Sequence, residues 1–323
     1  DLLDAAPNKN GIYSLELYLN NNLIFKNTMN TFSFNETKYI NSLIDYKEYI
    51  NSKQRIYKCY VEKNNQLNTY KKIINNGVIK EIDEGSHNIK ITVEDSYKNI
   101  ESKEFVFTYK RQKQMNKSTK ENEIIDCNQD FLFENENIKI FIPKKSLYVD
   151  CEFSFNKEKK NKQHTKYTII SHEVPLHKNF NLSIEPDKEI KDPENLIMIQ
   201  LKKNDSVFVK SKWEKGKVIG NPSSFGTFTL TKDTQKPKIE KINFKYDLSN
   251  ESSIKFKISD NLSGINEYFA EIDDQWVLME YDAKNQLIEH HFINNPTQKE
   301  HKLYVKVSDK NGNFTEKEFY FVR

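Results

Sequence analysis

Residues 87–107 read HNIKITVEDSYKNIESKEFVF, and residues 301–321 read HKLYVKVSDKNGNFTEKEFYF. The two align without a gap. His87 falls on His301, Ile89 on Leu303, Ile91 on Val305 and Val93 on Val307. Asp95, Asn99, Phe105 and Phe107 fall on Asp309, Asn313, Phe319 and Phe321. Apolar and polar residues alternate with a period of two, the signature of a strand with one buried face. A turn of Asp, Asn and Gly then leads into a second alternating strand, so each stretch predicts a β-hairpin.

The residues ahead of each hairpin correspond too. Gly11-Ile12 opens a strand whose inward side is Tyr13, Leu15, Leu17 and Leu19, and Gly264-Ile265 precedes Tyr268, Ala270 and Ile272. Asn20, Asn21 and Asn22 form the turn before Leu23-Ile24-Phe25, and Asp273 and Asp274 the turn before Trp276-Val277-Leu278. Two related β-sandwich modules are therefore expected near the two ends of the chain, over residues 1–110 and 233–323. Within the first, residues 35–80 read as an insertion. Asn35 is a helix cap, and Tyr39, Leu43, Tyr46 and Ile50 recur at helical spacing, which predicts a helix covering a sandwich edge or reaching out to a partner.

Residues 110–122, KRQKQMNKSTKEN, form a basic linker. A distinct all-β module is expected over 123–232, with strands at 138–142, 148–155, 167–170, 180–184, 196–201 and 225–230. Lys232 to Pro237 leads into the last module, with Pro237 favouring an extended path. The fold class is all-β: three immunoglobulin-like sandwich modules in series, the first with a helical insertion.

Composition agrees. The 323 residues include 21 Phe and 17 Tyr, an aromatic supply that disordered chains lack. Fifty basic and 47 acidic residues leave a charge of +3, too balanced for a nucleic-acid footprint. No apolar run is long enough for a transmembrane helix. Asp1 falls within what reads as an ordered loop, so upstream sequence is expected.

The residues that carry chemistry are sparse. The histidines are His87, His164, His172, His177, His290, His291 and His301, and none has a second His or an Asp at a metal-ligand spacing. His172 and His177, in HEVPLH, would face opposite sides of a strand, as would His290 and His291. There is no nucleophile elbow and no phosphate-cradling loop, with eight Gly in all. Asp273 with Asp274, and Glu185 with Asp187, read as solvated loop acids. Cys59, Cys127 and Cys151 read as buried free thiols, with a Cys127–Cys151 disulfide as the alternative. The basic run at 157–162 reads as a solvated loop. Trp213 and Trp276 read as core residues, with stacking on sugar rings as the other possibility. One weak calcium candidate stands out: Asp309, Asn311 and Asn313 have an Asp-x-Asn-x-Asn spacing. Gly312 breaks the loop register, however, and no Glu occupies the twelfth position, so a hairpin turn accounts for it better.

The strings DLLDAAPNKNGIYSLELYLNNNLIF, NETKYINSLIDYKEY and HNIKITVEDSYKN resemble a segment of large lysostaphin-type zinc metallopeptidases of Gram-negative bacteria, downstream of their catalytic domain. FGTFTLTKDTQKPKI and the last module resemble the remaining C-terminal part of the same proteins. That family holds zinc with His-x-x-x-Asp and His-x-His motifs. Neither occurs here, so no catalytic residue carries over, and zinc is expected only in an upstream domain. The resemblance implies a periplasmic or outer-membrane-associated protein. Its partners would be an envelope complex or peptidoglycan. This chain would then be a non-catalytic scaffold that positions the peptidase or docks it, or alternatively a peptidoglycan- or carbohydrate-binding module.

Overall fold

The computed structural model describes residues 11–111, 123–159, 165–187, 190–293, 297 and 299–323. Asp1, His164, most of the 110–122 linker and residues 160–162 of the basic run lie outside the described residues. The first module contributes strands β1 (Ser14–Leu19), β2 (Asn22–Thr28), β3 (Tyr70–Ile73), β4 (Gly85–Glu94) and β5 (Ile100–Tyr109). They form one antiparallel sheet in the order β3-β2-β1-β4-β5.

The middle module runs through β6 (Ile124–Ile125), β7 (Phe131–Asn135), β8 (Ile138–Ile142), β9 (Cys151–Glu152), β10 (Phe155–Glu158) and β11 (Lys166–Ile169). It continues with β12 (Asn181–Ile184), β13 (Leu196–Leu201), β14 (Ser206–Val209), β15 (Ser211–Glu214), β16 (Lys217–Gly220) and β17 (Gly226–Lys232). Sheet β10-β11-β17-β13-β14 faces sheet β15-β16-β12-β8-β7. Ile140, Leu182 and Val218 of one sheet meet Tyr167, Met198 and Phe228 of the other in a single apolar core.

The last module comprises β18 (Lys238–Lys241), β19 (Ser253–Ser259), β20 (Ile265–Ile272), β21 (Gln275–Trp276), β22 (Glu280–Asp282), β23 (Leu287–His291), β24 (Glu300–Asp309) and β25 (Phe314–Val322). It is a sandwich of β18-β19-β23-β22 on β21-β20-β24-β25. Ile254, Phe256 and Ile288 interleave with Leu303, Val305 and Phe321 between the sheets. The protein is all-β, its middle and last modules are two-sheet sandwiches, and no helix among the described residues is long and apolar enough to cross a membrane.

The repeat is reproduced atom for atom at its turns. His87 pairs with Phe107 across β4 and β5, and His301 with Phe321 across β24 and β25. The rings sit 5.5 and 5.3 Å apart, both tilted by 30°. Asn20 Oδ1 accepts the Asn88 N–H, and Asp273 Oδ1 accepts the Lys302 N–H, each at 2.9 Å. Asn20-Asn21 and Asp273-Asp274 all have positive φ, as a two-residue hairpin turn with the strands' own twist requires.

What repeats is one sheet. In the last module Phe319 is 8% exposed because Phe256 stacks 5.0 Å away from the opposite layer. Its counterpart Phe105 is 48% exposed, and the neighbouring Val106 is 68% exposed. Among the described residues the first module has no second sheet, and the insertion supplies the facing layer instead. Tyr57, Cys59, Val61 and Ile79 close over Leu15, Leu17, Ile24 and Phe25. Gly77 makes this possible. Its φ of +77° lets the backbone run so close to Cys59 that a Cβ would lie 2.3 Å from that carbonyl oxygen.

The continuous helix expected from Asn35 is broken. A 3-10 turn at Phe34–Tyr39 leads into α1 (Ile40–Leu43), and then Ile44 turns extended and bridges Tyr57. Asp45 accepts the Glu48 N–H and caps a fresh helix, α2 (Tyr46–Ser52). HEVPLH is likewise a loop, not a strand, so His172 and His177 do not alternate across a sheet.

Candidate functional site

The loop after β24 is a side-chain-stabilised turn. Asp309 Oδ1 accepts the N–H groups of Asn311 and Asn313 at 2.9 Å each, and Asn313 Nδ2 donates to Oδ2 at 2.8 Å. Asp95 makes the same turn in the first module, accepting from Tyr97 N, Asn99 N and Asn99 Nδ2. Asn311 and Asn313 also point their amide nitrogens at the Asp233 carbonyl, at 2.9 and 3.2 Å. The spacing singled out in the sequence thus ties the last module to the start of the linker, and of its three residues only Asp309 brings a carboxylate to a cluster.

That cluster joins three distant segments. Asp233 immediately follows β17, Asp260 lies between β19 and β20, and Asp309 ends β24. One carboxylate oxygen from each lies within 4.8 Å of the other two. Asp233 and Asp309 are each 1% exposed. Both carboxylate oxygens of Asp233, Oδ1 of Asp260 and Oγ of Ser263 are buried with no hydrogen-bond partner. Oδ2 of Asp260 accepts the Leu262 and Gly264 N–H groups at 2.9 and 2.8 Å. Burial raises the Asp233 carboxyl above its ordinary range, and Asp309 and Asp260 raise it further; Ser263, close by but outside hydrogen-bonding geometry, only partly offsets this. Among the described residues no Lys or Arg forms an ion pair with any of the three. At an effective dielectric near 20, each ionised pair at this separation repels by about 3.5 kcal/mol or more.

A second group, Asp126, Cys127 and Asp150, has the same spacing but a resident cation. Lys63 lies 3.9 Å from Asp126 and 3.5 Å from Asp150, and the Cys127 N–H bonds Asp150 at 3.0 Å. Its two carboxylates already share one ammonium. Cys127 and Cys151 are free thiols, and burial pushes the thiols of Cys127 and Cys59 up to about 11, so both stay protonated at neutral pH.

The insertion grips the middle module. Asn64 donates Nδ2 to the Cys127 and Leu147 carbonyls at 3.2 and 3.0 Å, and its N–H to Tyr148 O at 3.0 Å. The Tyr148 hydroxyl donates to Lys38 O at 2.6 Å. Tyr39 stacks on His177 with centroids 4.2 Å apart. Burial, with Lys38 and Lys178 nearby, holds His177 below its usual pKa, so the stacked ring is neutral. Sequence spacing gave no sign that these residues meet.

The two tryptophans part company. Trp213 packs against the middle core, whereas Trp276 stands 63% exposed, a correction to the expectation of burial. The cause is register. Trp276 pairs with Glu271, on the outward side of β20, and shares that face with Phe269, Tyr304 and Tyr320. The remaining acids are satisfied locally: Asp273 accepts from His301 at 2.7 Å, and Asp187 accepts from Thr165 and pairs with Lys159.

Residues 122–233, the stretch that carries the middle sandwich, match the family model of a Zu5-like domain. No curated protein matches the chain. Among solved structures, one similar chain is the SGBP-B protein of the Bacteroides ovatus mixed-linkage glucan utilization locus, bound to a mixed-linkage heptasaccharide. Identity is 9%, with 97% of this chain and 60% of that one covered, at a TM-score of 0.19. Another is a 1.5-MDa bacterial ice-binding adhesin, at 9% identity, 98% and 87% coverage and a TM-score of 0.18. A third is a Ca2+-stabilised ice-binding adhesin of an Antarctic bacterium, at 9% identity, 96% and 64% coverage and a TM-score of 0.16. This chain spans 60% of the first of these structures. TM-scores this low carry no argument about ligands.

Proposed function

We propose that the three modules form a non-catalytic scaffold and interaction region of a cell-envelope protein, which positions an upstream peptidase domain or docks the protein onto an envelope complex. The observation that supports this reading is how the modules are joined. Asn64, Tyr148 and the Tyr39–His177 stack fix the first module to the middle one, and Asn311 and Asn313 fasten the last module to Asp233. A chain that invests buried polar contacts in its junctions holds its ends at a set separation, which suits positioning. The envelope location rests on the resemblance to lysostaphin-type metallopeptidases. Binding assays of residues 1–323 against solubilised outer membrane and against purified peptidoglycan test the reading. Saturable binding to a membrane complex, weakened by Trp276→Ala or by charge changes on the outer faces, supports docking. Zinc-dependent hydrolysis of peptidoglycan by this chain alone overturns it.

A second reading, a glycan- or peptidoglycan-binding module, is favoured by one observation. Trp276, Phe269, Tyr304 and Tyr320 share the outward face of the β21-β20-β24-β25 sheet, where aromatic rings can stack on sugars. Retention on peptidoglycan that is lost in Trp276→Ala supports this reading; no retention at low salt removes it.

A further inference from the structure

We propose that Asp233, Asp260 and Asp309 bind a Ca2+ ion at the junction of the middle and last modules. The assignment goes beyond the scaffold reading and does not depend on it.

The cluster differs from an ordinary acidic surface patch in where its unpaired atoms lie. Four oxygens, two on Asp233, one on Asp260 and one on Ser263, are buried and have no hydrogen-bond partner. Buried polar atoms are nearly always satisfied, so a group of four around three converging carboxylates calls for a ligand that they share. Ionised like charges at this spacing also favour a bound cation over a bare cluster. Lys310, next to Asp309 in the chain, forms no ion pair with any of the three, and its ammonium lies over the Phe208 ring, 5.9 Å from the centroid. The Asp126–Asp150 group, by contrast, has recruited Lys63.

The donor chemistry selects the ion. Every candidate ligand is a hard oxygen, and among the described residues no His or Cys joins the cluster, which disfavours zinc and other soft-ligand metals. Three carboxylates from three separate segments, with a serine hydroxyl beside them, offer a large and adaptable oxygen shell. Ca2+ accepts such a shell with six to eight ligands, whereas Mg2+ demands near-octahedral geometry and retains its water. The turn at Asp95 shows what the last module has added. It has the same local hydrogen bonds, but among the described residues no cluster of acids forms around it.

Placement gives the ion its role. Asp233 is the first residue of the linker, and Asp260 and Asp309 belong to two loops at one end of the last sandwich. An ion held by all three fixes the base of the linker against that end, alongside the contacts from Asn311 and Asn313 to the Asp233 carbonyl. Such a site couples ion binding to the stability of the junction.

The test uses residues 1–323 stripped with chelator, titrated calorimetrically with CaCl2 and melted with Ca2+, with Mg2+ and without either. Wild type should bind one Ca2+ per chain and melt higher in its presence, with a smaller rise in equal Mg2+. Asp260→Asn should lose about tenfold or more in affinity. Asp233→Asn should melt above wild type when ion-free yet gain nothing from Ca2+, a pairing of effects that a misfolded variant does not produce. Absence of both heat and melting shift in wild type overturns the site. So do variants that respond to Ca2+ as wild type does, and an equal rise in Mg2+ overturns the choice of ion.

Discussion

Asn64 sits in the first module, but its side chain bonds only to the middle one, so truncating it tests whether the two unfold as a unit. Asn64→Ala removes the hydrogen bonds to the Cys127 and Leu147 carbonyls, at 3.2 and 3.0 Å. Leu147 is buried and its carbonyl loses this donor, whereas the Cys127 carbonyl still accepts the Lys145 N–H at 2.8 Å. At about 1 kcal/mol net for each bond, with a small added cost for the Leu147 acceptor, the loss is about 2–3 kcal/mol. Tyr148→Phe keeps the ring and deletes the hydroxyl bond to Lys38 O together with the longer contact to His177 Nδ1 at 3.4 Å, for about 1–1.5 kcal/mol. Asn51→Ala is the control. Its bond to Glu173 is exposed, and its loss should cost no more than about 0.5 kcal/mol. The chain has two tryptophans, Trp213 in the middle module and Trp276 in the last. Tryptophan fluorescence during urea unfolding therefore reports on those modules, while far-UV circular dichroism reports on every sheet. If the clamp couples the first module to the middle one, Asn64→Ala lowers the stability read by fluorescence, although no tryptophan lies in the first module. A fluorescence transition unmoved by more than about 0.5 kcal/mol, with an earlier separate phase in circular dichroism, would refute the coupling.

Three further outcomes are expected. The Asp233 pKa is raised in the folded chain, so its stabilising contribution is complete below the ordinary carboxylate pKa near 4 and is lost as pH rises through the higher folded value. In chelator, the melting temperature of wild type should fall behind that of Asp233→Asn as pH climbs from about 4 towards neutrality, and parallel curves would contradict this. Gly77→Ala forces a Cβ against the Cys59 carbonyl at a φ of +77° and should cost about 2–4 kcal/mol in urea unfolding, whereas Gly216→Ala, with open space around its Cβ, should cost less. Trp276→Ala should change stability by less than about 0.5 kcal/mol, because the ring is exposed; a larger loss in thermal or urea unfolding would mean that the ring is buried after all.

The repeat was legible because a strand's alternation is local. Ile89, Ile91 and Val93, and their counterparts Leu303, Val305 and Val307, declare an inward face by residue type alone. The Asn20-Asn21 and Asp273-Asp274 turns declare a tight hairpin because few other residues tolerate positive φ. The central strands expected at 138–142, 180–184 and 196–201 alternate in the same way. Those at 131–135, 206–209, 211–214 and 217–220 escape the sequence reading, because several alternate weakly and carry Lys, Glu or Ser among their apolar residues.

What covers an inward face is not local. Phe105 and Phe319 occupy the same place in the same hairpin, yet only Phe319 is buried, because a second sheet lies over it. Trp276 faces outward because its pairing with Glu271 fixes its side of the sheet, not because of its neighbours in sequence. The sequence by itself marked Asp309 as a turn residue with ion-binding chemistry. Only the tertiary structure brought Asp233 and Asp260, from 76 and 49 positions earlier in the chain, to within 4.8 Å of it. Convergence of that kind depends on how two sheets and a linker pack together, and no short-range pattern of residue types encodes it.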